Sequence, residues 1–225
     1  LHATNPFPER FYRWLTPVKF DPDNALPKQL AVRSVAPEDV QHVILSHFHG
    51  DHVAGIGRFP KAKVHCARAG FEIACKSGRI SGTRQGILPS LLPADLPERV
   101  QFFEDCTSIA LPADLQPFET GADVLGDGSI LAVELPGHCP GHWGIAVKDD
   151  AHGYHFMVAD AAWSLDAIAR NMPPPRMATA FLGNTKKARA TLVQLHTLHS
   201  RNPEVRLTPY HCPQRASEAT KGDAA

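Results

Sequence analysis

Apolar residues in this chain follow two rhythms, one of short continuous or alternating runs and one of helical spacing. Val43, Ile44 and Leu45 form a continuous apolar run that predicts a buried strand, and a polar burst follows at its carboxyl end. "KAKVHC" predicts a second short strand, and "ARAGFEIACKSG" a helix closed by Gly78. Farther on, "SILAVELPGH", "GHWGIAVKD" and "YHFMVAD" predict three strands in succession. "TKKARATLVQLHTLHSRN" places Ala188, Leu192, Leu195 and either Leu198 or His199 on one face at helical spacing, and "EVRLTPYHC" closes with a strand. Strand pairs followed by helices predict an α/β fold of two mixed β-sheets covered outside by helices.

Two stretches interrupt this pattern. Residues 1–36 are rich in Pro and aromatics without clean periodicity, which predicts an excursion over the surface; "APEDVQ" then puts Pro37 at a first helical position, with Glu38 and Asp39 in the first turn. Residues 79–118 mix Leu with repeated Pro ("GILPSLLPADLP", "IALPADLQPF"), which disfavours long regular elements. We read this stretch as a cap inserted into a single domain spanning residues 1–225. Its Leu88, Leu91 and Leu92 either line a pocket for an acyl chain or anchor the cap to the core.

Composition narrows the functional classes. A chain of 225 residues, 43% hydrophobic, can bury one sizeable core. Lys plus Arg equals Asp plus Glu at 23 each, so no field of one sign gathers phosphate backbones or anionic lipid. Nucleic-acid and membrane partners are therefore not expected, and no apolar stretch approaches the roughly 20 residues of a bilayer span. Five cysteines without CxxC spacing argue for reduced thiols and a cytoplasmic location. No signal-peptide pattern is visible from Leu1 onward. A homodimer stays open. Of thirteen histidines, His2, His42, His65, His152, His155, His196 and His199 have no partner pattern and are read as surface or core-edge residues.

The remaining histidines carry the chemistry. "HVILSHFHGDHVAG" places His47, His49, Asp51 and His52 within six positions at the mouth of a strand. A strand projects residues i and i+2 to one side, so His47 and His49 can face one ion; Gly50 allows a sharp turn that directs Asp51 and His52 toward a second position. The plainer alternative is a polar loop opening a helix, with Asp51 as its N-cap. Three later candidates share the placement just after a strand: His138 in "VELPGH", Asp160 in "HFMVAD" and His211 in "LTPYH". Imidazoles with one or two carboxylates suit Zn²⁺, with Fe or Mn open because the set is not soft.

Taken together, "SHFHGDH", "PGHCPGH", "VADAAW" and "PYHC" make residues 37–213 resemble the metallo-β-lactamase superfamily, most closely its N-acyl-homoserine lactonase-like group. The resemblance implies an αββα sandwich holding two divalent metal ions, Zn²⁺ first among them. His47, His49 and His138 would hold one ion, Asp51, His52 and His211 the other, and Asp160 would bridge. It also implies a hydrolase in which a bridging hydroxide attacks the carbonyl of a small-molecule lactone or ester. Asp51 is then the catalytic residue that protonates the leaving alkoxide. The family usually has a hairpin ending in an Asp-Thr-Gly-like turn before the His cluster; none stands before His47, which implies that N-terminal strands of the first sheet are missing. Cys139 and Cys212 neighbour ligand positions and are read as small supporting residues. Trp163 stands where the lactonases commonly carry Tyr, and an indole donates one hydrogen bond but cannot act as a phenol.

Other branches fit less well. Glyoxalase II-like thioesterases keep a similar metal set, yet the basic residues expected for glutathione are not evident, and the zinc β-lactamases usually have Cys or Ser where Asp160 stands. RNase Z-like nucleases want a basic surface. A flavodiiron-like redox module needs an added domain for which 225 residues leave no room. The alternatives that stay open are a thioester hydrolase and a metal-binding protein without turnover.

Overall fold

In the computed structural model, residues 6–15, 22, 25–149, 153–174 and 183–215 are described. The chain divides into two compact units, Leu1–Phe102 and Phe103–Ala225.

The first unit opens on a 3-10 turn, Glu9–Phe11, running into α1 (Tyr12–Leu15), followed by α2 (Leu26–Val32) with Pro at its first turn. "APEDVQ" forms one 3-10 turn, Pro37–Asp39, rather than a longer helix, because Val40 is already extended. The apolar run then becomes β1 (His42–Ile44) and leads through α3 (Gly50–Val53) to β2 (Lys63–Cys66). After α4 (Arg68–Lys76), α5 (Arg79–Arg84) and α6 (Leu96–Arg99) comes β3 (Val100–Phe102). Each strand pairs parallel with the next, Val43 on Val64 and Val64 on Val100. Parallel pairs need crossovers, and α3 to α6 supply them. Leu45, Phe48, Val53, Ile56, Val64, Ile87 and Leu96 form the unit's core.

One expectation needs correction here. Helix α4 ends at Lys76 because Ser77 turns extended; Gly78, also extended, opens α5 instead of closing α4. The Pro-rich stretch has only short elements, as its prolines dictate, and two of them are strands, β3 and β4 (Thr107–Ala110). Leu88 is fully buried and packs on Gly50, and Leu91 and Leu92 pack on the same core, which is the anchoring alternative.

The second unit is a six-stranded sheet in sequence order: β4 (Thr107–Ala110), β5 (Thr120–Asp123), β6 (Ile130–Glu134), β7 (Trp143–Asp149), β8 (Gly153–Ala159) and β9 (Arg206–Pro209). All neighbours are antiparallel except β8 and β9. That parallel pair needs a crossover, made by α7 (Leu165–Ala169) and α8 (Thr185–Arg201). Helix α8 starts where Asn184 accepts the Lys187 N–H, and it buries Ala188, Thr191, Leu192, Leu195 and Leu198 on one stripe. The last position of that face is Leu198, and His199 lies at its margin. Each of the three buried leucines contributes roughly 1.5–3 kcal/mol against Val133, Phe156, Leu207 and their neighbours.

Candidate metal centre

Each unit gathers its own set of donor side chains, and the two are built differently. In the first, the backbone stays extended past β1, with the Leu45 N–H on the His65 carbonyl at 2.9 Å. Alternation then does what the sequence implies: Phe48 enters the core while His47 and His49, both buried, face the other way. His47 Nε2 and His49 Nδ1 stand 3.1 Å apart. Ser46 Oγ lies 3.0 Å from His47 Nδ1 and 3.5 Å from His52 Nδ1, so one hydroxyl orients two rings by the nitrogens they do not aim into the cluster. Asp51 and His52 ride on the single turn α3, with Oδ2 of the carboxylate 3.6 Å from His52 Nε2. The loop carrying Gly86 closes over this turn. The Gly50 N–H donates to the Gly86 carbonyl at 2.9 Å, and a Cβ on Gly86, whose φ is +74°, would stand 3.0 Å from His49 Cδ2.

In the second unit the donors come from three strand ends. Asp160 follows β8, and the residue before it, Ala159, has φ +46° at a register shift against β9. Such a kink re-aims the next side chain. Asp160 Oδ2 stands 3.4 Å from His138 Nε2 and 3.5 Å from His211 Nε2. His138 is fixed by its neighbour. Gly137, at φ +134°, lets α8 approach so closely that a Cβ there would lie 2.1 Å from the Ala188 nitrogen. The Gly137 carbonyl accepts the Asn184 N–H at 2.8 Å.

These separations suit a cation. Tetrahedral Zn²⁺ with bonds of about 2.0–2.2 Å sets its ligand atoms roughly 3.3–3.6 Å apart. The carboxylate-to-imidazole distances in the second unit match that edge and exceed an ordinary hydrogen bond. Neutral imidazole and carboxylate are also the donor types that Zn²⁺, Fe and Mn accept. The donor types in both sets therefore fit divalent metals.

The structure adds residues that the sequence reading passed over. His142 is buried, with Nδ1 on the Leu135 carbonyl at 3.0 Å and Nε2 accepting the Asp160 N–H at 3.2 Å, so it ties the end of β6 to the start of the Asp160 turn. Its signal was the second His of "PGHCPGH". Tyr12 donates its phenol O–H to Asp51 Oδ1 at 3.2 Å, and nothing in the sequence marks a residue 39 positions away. His65 is not a surface or edge residue: it is buried and pairs with His42 at 2.9 Å. His155 bonds Thr208 Oγ1, and His196 the Ile168 carbonyl, while His2 and His152 lie outside the described residues. Cys212 bridges Gln214 and the Leu165 N–H, a structural tie at the start of α7. Burial, then the Asp160 charge, pushes the Cys139 thiol far up. Trp163 is 40% exposed.

Comparison with known proteins defines the class. The metallo-β-lactamase superfamily model matches residues 17–151, more than half of the chain. The chain belongs to that superfamily and has its fold, two sheets flanked by helices. The N-acyl homoserine lactonase AttM of Azorhizobium caulinodans is 30% identical over 183 residues, covering 80% of this chain and 61% of that protein. Among solved structures, an N-acyl homoserine lactone hydrolase with N-hexanoyl-L-homoserine at its catalytic metal centre matches with TM-score 0.60. Its identity is 17%, covering 89% of this chain and 67% of that one. AidC, a dizinc quorum-quenching lactonase, matches with TM-score 0.58 and 18% identity over 84% and 63% of the two chains. The match spans 50% to 62% of the length of the lactonases named AttM.

Proposed function

We propose that this protein is a dinuclear metal-dependent hydrolase acting on the carbonyl of a small-molecule lactone or ester, in the cytoplasm. In this reading the chain is a single domain in which His47, His49 and His138 would hold one cation and Asp51, His52 and His211 the other, with Asp160 bridging. The observation that carries it is the Asp160 oxygen, set at cation-sharing distance from two imidazoles of different strands. The 30% identity to an N-acyl homoserine lactonase supports the substrate class, and the dizinc neighbour supports Zn²⁺ as the first metal. None of the five cysteines forms a disulfide, which suits a reducing compartment.

Two bound divalent cations supply Lewis acidity at the carbonyl oxygen and make water acidic enough to attack near neutral pH. The chain's own part is orientation and proton transfer. Ser46 holds the rings of His47 and His52, and His142 fixes the Asp160 backbone. Asp51 would take up the proton that the attacking water loses and pass it to the departing alkoxide, which leaves as the hydroxyl of the opened hydroxy acid. Trp163 offers an indole N–H where related lactonases offer a phenol.

Elemental analysis of the purified protein is expected to find two metal ions per chain, and N-acyl homoserine lactones are expected to turn over faster than glutathione thioesters. One ion or none would sink the dinuclear assignment; a thioester outrunning every lactone tested would replace the lactonase reading with the thioesterase one.

A further inference from the structure

The turn before α1 holds an unusual residue for its place. Glu9 is 0% exposed, within a few residues of the aromatic positions Phe7 and Trp14, which are well exposed. A carboxylate so placed is costly unless it is bonded on several sides, and this one is. Its Oε1 accepts Arg79 Nε at 3.1 Å, and its Oε2 accepts both the Ser90 N–H, at 3.3 Å, and the Ser90 hydroxyl. In a 3-10 turn residues i and i+3 eclipse, so Glu9 and Tyr12 share a face. Tyr12 is the other buried residue of this turn, 7% exposed, and its phenol reaches Asp51.

The segment that Glu9 grips is the one that packs on the histidine turn. Arg79 and Ser90 bracket Gly86, which abuts His49, and Leu88, which abuts Gly50. Phenol, carboxylate, loop and histidine turn therefore close a ring of contacts inside the first unit: Tyr12 on Asp51, Glu9 on Arg79 and Ser90, Gly86 on His49. The phenol takes Oδ1 of Asp51 and leaves Oδ2 toward His52 Nε2. A one-turn helix such as α3 has too few internal hydrogen bonds to hold a side chain in register unaided.

We infer that Glu9 and Tyr12 form a positioning hook, in which buried Glu9 locks the N-terminal turn onto the loop at residues 79–90 so that the Tyr12 phenol fixes which oxygen of Asp51 is presented for metal binding and proton donation. The inference rests on the hydrolase reading above and deepens it. Tyr12 is a positioning residue, since it acts through Asp51.

The test uses Tyr12→Phe, which keeps the buried ring and removes only the hydroxyl, together with Glu9→Ala and the double variant. Zn²⁺ titration of the metal-stripped chain is expected to show roughly tenfold weaker binding of one equivalent and an unchanged other, the size of one charge-assisted hydrogen bond. On an alkyl lactone kcat should fall roughly tenfold with little change in KM. An aryl ester, whose phenoxide leaves without a proton, should lose less. The double variant should be no slower than Glu9→Ala alone, because Glu9 acts through Tyr12. Metal binding and leaving-group dependence equal to wild type in Tyr12→Phe, with only a lower Tm, would overturn the hook and reduce it to a structural pin. A wild-type chain that binds no metal strikes instead at the hydrolase reading, so the two failures are distinguishable.

Discussion

The two donor sets contrast in how they are made. In the first unit four donors lie within six residues on a strand end, a loop and one helical turn, so local geometry alone brings them together. In the second unit three donors come from positions 138, 160 and 211, and only the sheet order and the α8 crossover make them neighbours. A local set survives loosening of its surroundings but must be aimed from outside, by Ser46, Tyr12 and the Gly86 loop. A distributed set has its aim built into the sheet and depends on every element that sets the register.

The largest expected effect breaks the distributed set at its hub. Asp160→Ala removes the oxygen that faces both His138 and His211, and metal content is expected to drop to one ion or fewer, with turnover at background. Asp51→Asn, in the local set, keeps the shape and one donor oxygen. It is expected to retain metal while kcat falls by roughly 10² to 10⁴, the usual cost of losing an acid–base group. Elemental analysis beside steady-state kinetics separates the two; two ions in Asp160→Ala, or near wild-type turnover in metal-loaded Asp51→Asn, would contradict the roles given.

The same contrast explains what was legible in the sequence. The local set was readable as a cluster because its four residues stand within six positions; alternation accounts for His47 and His49 facing away from the inward Phe48, while Asp51 and His52 ride on the helical turn α3 rather than on a sharp turn at Gly50. For the distributed set, strand ends predicted that His138, Asp160 and His211 lie at the mouths of strands. Their convergence followed only from resemblance, since sheet order is not written in any one segment. Strands β3, β4 and β5 were missed because they run three or four residues amid Pro and Gly, too short for a period to show. Tyr12 and Glu9 left no trace, because a hydrogen bond across 39 residues has no sequence rhythm.

A smaller effect sharpens the comparison through two glycines. Gly137→Ala must resolve a 2.1 Å approach to the α8 backbone as well as a φ of +134°, so neither side can yield without moving the helix. We expect this variant to lose more stability than the roughly 0.5–3 kcal/mol typical of a point change, and to weaken metal binding through His138. Gly86→Ala, at φ +74° and 3.0 Å from a histidine ring edge, is expected to cost roughly 1–2 kcal/mol and leave metal stoichiometry intact. Chemical denaturation of both, with metal analysis, checks the ranking; equal losses would mean that the distributed set tolerates strain as the local one does.

The smallest expected effect lies in the pH dependence of the first unit, at a histidine outside the donor set. His65 is 1% exposed at the centre of β2, and burial, then His42, then Lys63, pull its pKa down to about 4. The unfolded chain binds a proton there below about 6.5, whereas the folded chain resists until about 4. Between those values the unfolded state holds more protons, so the stability present above pH 6.5 is progressively lost as pH falls toward 4 and changes no further below it. His65→Leu removes the titration and keeps an apolar side chain in the strand. Its denaturation midpoint, measured on metal-stripped protein so that the donor imidazoles contribute alike to both chains, should fall less between pH 7 and pH 4.5 than that of the wild type. A residual slope is expected from the second unit, where burial, then Arg206 and Arg215, hold the His155 pKa below its ordinary value. Identical slopes in wild type and His65→Leu would show that His65 takes up its proton in the folded chain as readily as in the unfolded one.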